Sequence, residues 1–144
     1  MDIMVIDGNV KTWEEAISLS ADALYEHKYV KESFKEACIK REIEFPTGLP
    51  CKFPVAIPHT DAEHVNKDCL CFLRLNQNVK FTRIDDKLKS VNCKMIINMA
   101  LSKNESQVEM LSKLIKLIKD NNLMENCYSL SASKAEKELR KIIK

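Results

Sequence analysis

The stretch from Phe45 to Val65, FPTGLPCKFPVAIPHTDAEHV, limits the fold of this chain more than any other part. It holds all four prolines (Pro46, Pro50, Pro54 and Pro58), two of the three histidines and one of the two glycines. Proline fixes its own φ near about −65°, offers no backbone donor and drives the preceding residue to extended geometry. The backbone from Phe45 to Pro54 is therefore predicted to be loop, with Thr47-Gly48 supplying a hydroxyl and a permissive backbone. Val55-Ala56-Ile57 is a short apolar run and reads as a strand. Pro58 ends it, so His59 stands in a stiff turn at the strand's exit, where open α/β sheets often present ligand-binding groups.

Neutral imidazole carries one free lone pair, and a pKa of roughly 6.5 keeps the ring largely neutral near pH 7. Such a ring can attack phosphorus, hold the phosphoryl group covalently and release it. A capped loop histidine without chemistry satisfies the same local pattern, so the residues around His59 must decide between the two.

Strand and helix signals alternate on both sides of this stretch. Ile3 to Ile6 is a short apolar run closed by the turn signal Asp7-Gly8-Asn9. Thr12-Trp13-Glu14-Glu15 matches a capping box, predicting a helix to about Glu26 with Trp13, Ile17, Ala21 and Leu24 inward. A second helix is predicted from about Val30 to Glu42, with Val30, Phe34, Ala37 and Cys38 as its stripe. Arg41 continues that stripe, and an arginine on the buried side of a helix either snorkels or pairs with an anion.

Beyond His59, Thr60 and Asp61 are placed to cap a short helical turn. His64 lies five residues after His59, a spacing that leaves the two on different faces of a regular helix. Asp68 to Leu75 is almost continuously apolar and suits a strand covered on both faces, and Val79 to Thr82 suits a short edge strand. Asn92 to Leu101 alternates, with Cys93, Met95, Ile97, Met99 and Leu101 on one face. Asn104 and Gln107 have N-cap spacing for a helix through Lys119. Asn121-Asn122 is read as its stop, and Ser133-Lys134-Ala135-Glu136 as the cap of a terminal helix. The fold class that follows is α/β, a single mixed β-sheet flanked by helices on both faces, with residues 1–144 as one domain.

Composition narrows the function. Net charge is +2, which indicates neither a dedicated nucleic-acid nor a membrane-surface protein. No apolar run approaches the roughly 18–20 residues of a membrane helix, and the acidic N-terminal stretch is unlike a signal peptide. A cytoplasmic location with reduced cysteines is therefore expected. Walker A and G-x-G-x-x-G patterns are absent, and two glycines cannot make a glycine-rich phosphate loop. Cys69-Leu70-Cys71 is the one close cysteine pair. Metal binding by Cys69, Cys71 and His59 or His64 is a minor alternative to buried core thiols.

The segments Arg41-Glu42-Ile43-Glu44-Phe45-Pro46-Thr47-Gly48-Leu49, Val55-Ala56-Ile57-Pro58-His59-Thr60-Asp61 and Glu63-His64-Val65 closely resemble an active-site region of the bacterial sugar phosphotransferase system (PTS). That region belongs to its enzyme IIA (EIIA) components, of the fructose/mannitol-type superfamily and especially the galactitol-like branch. The likeness runs loosely along nearly the whole chain. It implies the same α/β fold, and a phosphotransferase component in which His59 is phosphorylated on Nε2 and Arg41 clamps the phosphoryl oxygens. Thr47, Thr60, His64 and Ser106 become supporting candidates. The donor implied is phospho-HPr, the acceptor a cysteine of an EIIB protein, with a membrane EIIC behind it. No cofactor and no metal are implied.

One departure stands out. Mannitol- and fructose-type members carry a second active-site histidine near the start of the helix after the last central strand. Here Asn104-Glu105-Ser106-Gln107 occupies that place, with Ser106 the nearest match. Members of this superfamily also serve as regulatory modules, in nitrogen regulation or attached to transcription regulators, and that is the rival function.

Overall fold

The computed structural model describes residues 1–143. Its five-stranded sheet has the order β1-β4-β5-β3-β2, with β1 at Asp2–Gly8, β2 at Gly48–Leu49, β3 at Val55–Ala56, β4 at Cys69–Thr82 and β5 at Ser90–Ala100. β1 pairs parallel to β4 and β3 parallel to β5, whereas β4–β5 and β2–β3 are antiparallel. The sheet is thus mixed, as the interleaved signals predict.

β4 and β5 explain why long apolar runs occur in this sequence. Along β4, Leu70 and Phe72 face one layer while Cys69, Cys71, Leu73 and Leu75 face the other. Both faces are covered by helices, so neither half of the alternation needs to be polar. The first layer packs under α3 (Glu105–Lys119), α4 (Asn121–Ser129) and α5 (Ala132–Ile142). The second packs under α1 (Trp13–Glu26) and α2 (Phe34–Glu44). Truncating a fully buried member such as Phe72 would cost about 3–5 kcal/mol.

α1 begins as predicted. Thr12 Oγ1 accepts from the Glu15 N–H at 3.2 Å and donates to its carboxylate at 3.1 Å. Ile17, Ala21 and Leu24 are buried, while Trp13 is half-buried against the same layer.

Several expectations are corrected. Val79 to Thr82 is not a separate edge strand: β4 runs through it, with a register shift between Arg74 and Val79 where Asn76, Gln77 and Asn78 are exposed. Cys93 lies in the α1–α2 layer rather than with Met95, because the two residues flank that same shift on β5. α2 starts at Phe34, since Val30 is taken by a bridge to Val65. Asn121-Asn122 opens α4 instead of ending a helix, with the Asp120 side chain accepting from Leu123 N–H at 3.1 Å. α5 is capped by Ser131, not Ser133.

A buried polar cluster joins the sheet to α1 and α2. Asn98 Nδ2 donates to Ser20 Oγ at 2.9 Å, and Cys38 Sγ lies 3.9 Å from Asn98 Oδ1. The six cysteines are free thiols, five of them buried. Burial raises the Cys69 thiol to about 12 and that of Cys71 higher still, so both stay protonated in the core.

Candidate functional site

β3 is only two residues long, yet its exit is tightly held. Val55 and Ala56 pair with Met95 and Ile96 of β5, and the Pro58 carbonyl accepts from Met99 N–H at 3.0 Å. His59 is half-buried in an isolated bridge to Met99. Its Nδ1 lies 2.9 Å from the Ile57 carbonyl oxygen. A carbonyl can only accept, so the ring proton sits on Nδ1 and the Nε2 lone pair is free. Among the described residues no hydrogen bond engages Nε2. Burial lowers the His59 pKa from its ordinary value; the Ile57 hydrogen bond opposes this, the Arg41 charge adds to it and Asp61 offsets it. The ring is therefore neutral near pH 7, with its Nε2 lone pair open.

Arg41 reaches the same place from the last turns of α2. Its guanidinium carbon stands 5.3 Å over the Phe45 ring, and Nη1 lies 3.8 Å from Asp61 Oδ1. Arg41 Nε is the one buried side-chain nitrogen or oxygen without a hydrogen-bond partner among the described residues. A planar guanidinium with an unmet donor beside a free imidazole nitrogen suits a tetrahedral oxyanion.

The segment after His59 is fastened from α3. Gln107 Nε2 donates to the Thr60 carbonyl at 2.8 Å, and Asn104 Oδ1 accepts from Ala62 N–H at 2.9 Å. Neither side chain caps its own helix as the spacing suggests; both cross to the His59 loop.

Comparison with known proteins fits this arrangement. Residues 2–144 match the family described as "Phosphoenolpyruvate-dependent sugar phosphotransferase system, EIIA 2". The chain belongs to the EIIA 2 family of that sugar phosphotransferase system. The galactitol-specific EIIA component of Escherichia coli K12 is 26% identical over 115 residues, covering 79% of this chain and 76% of the relative. The crystal structure of IIA mannitol from Escherichia coli shares the fold with a TM-score of 0.74 and 22% identity, covering 94% of each chain. A complex of enzyme IIA-Mtl with phosphorylated enzyme IIB-Mtl, also from Escherichia coli, gives 0.74 at 21% identity, covering 94% of this chain and 92% of that one.

In this EIIA 2 chain the remaining sequence candidates take distinct positions. Thr47 is buried; its Oγ1 accepts from Ile57 N–H at 3.0 Å and donates to the Glu42 carboxylate at 2.9 Å. Thr60 is buried, held by its carbonyl. His64 ends a 3-10 turn, Ala62–His64, whose N-cap is Asp61 without a side-chain hydrogen bond, while Asn104 takes the Ala62 N–H. Its Nδ1 lies 2.8 Å from Ser33 Oγ and its Nε2 3.6 Å from Glu63 Oε1, so its polar contacts lead to the start of α2. Ser106 lines a small cavity with Met1, Asp68, Leu101 and Met110. Glu42, Asn104 and Gln107 also bond to the segments around His59, through Thr47, Ala62 and Thr60, and none of the three is marked by the sequence as a site residue. The one available signal is polarity: a glutamate within a motif rich in apolar residues, and two amides where a histidine is expected.

Gly48 is needed for space rather than for a positive φ. A Cβ there would meet the Thr82 carbonyl oxygen at 2.6 Å and Val91 Cγ1 at 2.9 Å. Among the described residues no helix is long and apolar enough to cross a membrane, and no group of three or more His, Cys, Asp or Glu side chains could hold a metal ion.

Proposed function

We propose that this EIIA 2 protein is the phosphohistidine carrier of a sugar or polyol transport system of the galactitol type, working in the cytoplasm. The observation that carries the proposal is the 2.9 Å contact of His59 Nδ1 with the Ile57 carbonyl, which leaves Nε2 as the attacking atom. Phospho-HPr is the donor in this reading. The His59 Nε2 lone pair attacks phosphorus, the donor's nitrogen–phosphorus bond breaks, and its electron pair returns to the donor ring. The phosphoryl group then sits on Nε2, with Nδ1 keeping its proton.

In the second step a cysteine thiolate of an EIIB protein attacks phosphorus from the opposite side. The phosphorus–Nε2 bond breaks and its pair returns to the imidazole, regenerating the starting tautomer. The sugar is then phosphorylated during uptake through EIIC. Transfer between two side chains needs in-line geometry and compensation of charge on the equatorial oxygens. Arg41 supplies that charge, and its unmet Nε–H supplies a directed donor. Galactitol is the substrate named for the 26% identical relative, and a polyol of that class is the reading for the partner system here.

The test is phosphorylation of the purified chain by phosphorylated HPr, followed by intact mass and site mapping. Wild type gains one acid-labile phosphoryl group at His59, and His59→Gln gains none while retaining the wild-type circular dichroism spectrum. Wild-type-rate phosphorylation of His59→Gln would overturn the proposal.

A further inference from the structure

Glu42 is adjacent to Arg41 in sequence but turns to the opposite task. It is only 6% exposed, and no salt bridge among the described residues involves it. Its Oε2 accepts from Thr47 N–H at 2.7 Å, and Oε1 and Oε2 lie 2.9 and 3.1 Å from Thr47 Oγ1. An ionised carboxylate can only accept, so the Thr47 hydroxyl proton points to it. That leaves the Thr47 oxygen lone pairs for Ile57 N–H, 3.0 Å away. The Ile57 carbonyl, at the other end of the same residue, meets His59 Nδ1 at 2.9 Å. The chain of contacts Glu42–Thr47–Ile57–His59 is continuous, and its first three members are buried.

A buried carboxylate is costly, and a tie between helix and loop is made more cheaply by apolar packing. What a carboxylate adds is direction. A glutamine at position 42 would offer one acceptor and turn its NH2 toward either the Thr47 N–H or the Thr47 oxygen. The first places two donors together; the second leaves the Thr47 N–H and O–H to share a single amide oxygen. The carboxylate instead gives the Thr47 N–H and O–H an acceptor oxygen each.

We infer that Glu42 is a positioning residue for His59: acting through the Thr47 hydroxyl and the Ile57 backbone, its carboxylate holds in place the carbonyl that keeps the ring proton on Nδ1. The effect on transfer rate rests on the phosphocarrier reading above; the effect on the tautomer does not.

The experiment uses the full 15N-labelled chain and reads the His59 tautomer from long-range 1H–15N correlations. Variants are Glu42→Gln, Thr47→Val and Thr47→Ser. Wild type and Thr47→Ser should show the Nδ1–H tautomer. Glu42→Gln and Thr47→Val should shift the tautomer ratio toward Nε2–H by about tenfold, the scale of one net hydrogen bond. Maximal phosphorylation rate from phosphorylated HPr should fall by a similar factor with KM for HPr unchanged. An unchanged tautomer ratio in both Glu42→Gln and Thr47→Val, or a shift in Thr47→Ser as large as in Thr47→Val, overturns the inference. If Glu42→Gln does not fold, the Thr47 pair decides alone. A shifted tautomer in a chain that no variant allows to be phosphorylated removes the phosphocarrier reading and leaves Glu42 as the group that orients His59.

Discussion

Arg41 Nη1 stands 3.8 Å from Asp61 Oδ1, beyond hydrogen-bond reach, while Arg41 Nε is buried without a partner. The arginine is steered by a neighbouring carboxylate yet not consumed by it. A guanidinium in that condition gains most when an anion arrives, because the donor is already desolvated.

Arg41→Ala should slow phosphorylation of His59 by about 10²–10³-fold, the usual loss when one charge-stabilising donor is removed. Arg41→Lys should recover only part of this, since lysine restores the charge without the planar fork. Initial rates with phosphorylated HPr measure both, and thermal melting confirms the fold. A wild-type rate in Arg41→Ala would remove the clamp from the mechanism.

The pH profile should carry two separate signatures. Burial raises the Glu42 carboxyl from 4.5 to about 7, against the lowering effect of the Thr47 donors; Arg41 is the adjacent charge, and the thiols of Cys38 and Cys93 are coupled to it. Protonated Glu42 would reverse the Thr47 hydroxyl, so transfer should fall as pH drops through about 7. His59, whose own pKa is lowered below 6.5, should lose its nucleophile only at more acid pH. In Glu42→Gln the upper inflection should vanish and the lower remain. A single inflection shared by both proteins would contradict this.

Stability follows the linkage signs. A carboxyl with a raised folded pKa contributes stability that is complete below the unfolded pKa and lost as pH rises through the folded one. For Glu42 that window runs from 4.5 to about 7, with an upper magnitude of about 3 kcal/mol. His59 acts oppositely: its lowered pKa withdraws stability as pH falls below 6.5, since the unfolded chain takes the proton first. Urea midpoints from pH 5 to 8 should therefore decline toward alkaline pH in wild type and stay flatter in Glu42→Gln.

Asn104→Ala and Gln107→Ala should each loosen the loop that follows His59. The Ala62 amide loses its acceptor in the first variant, and the Thr60 carbonyl its donor in the second. A cost of about 1 kcal/mol apiece is expected. Faster hydrogen exchange at Ala62 in Asn104→Ala would register the first effect directly, and unchanged protection would show that the contact holds nothing.

Gly48→Ala should destabilise the fold by roughly 1–3 kcal/mol, as overpacking does. The added methyl would stand 2.6 Å from the Thr82 carbonyl, which is backbone and can yield only by moving β4. A melting temperature equal to wild type would show that the sheet gives way freely.

The sequence by itself determined the α/β class, since runs such as Cys69 to Leu75 cannot be half-exposed and must lie between two layers. It also marked His59, because proline chemistry confines Ile57-Pro58-His59 to an extended exit with little freedom. Those are local properties: steric limits on φ and the period of side chains along a strand. What the tertiary structure decided is how distant polar groups meet. Asn104 and Gln107 read locally as helix caps, yet their partners are Ala62 and Thr60, more than forty residues earlier in the chain. Glu42 reads as one more charge in a helix, yet it lies buried at one end of a hydrogen-bonded path to His59. A hydrogen bond requires atoms within about 3 Å, and only folding sets such distances between segments that the sequence keeps apart.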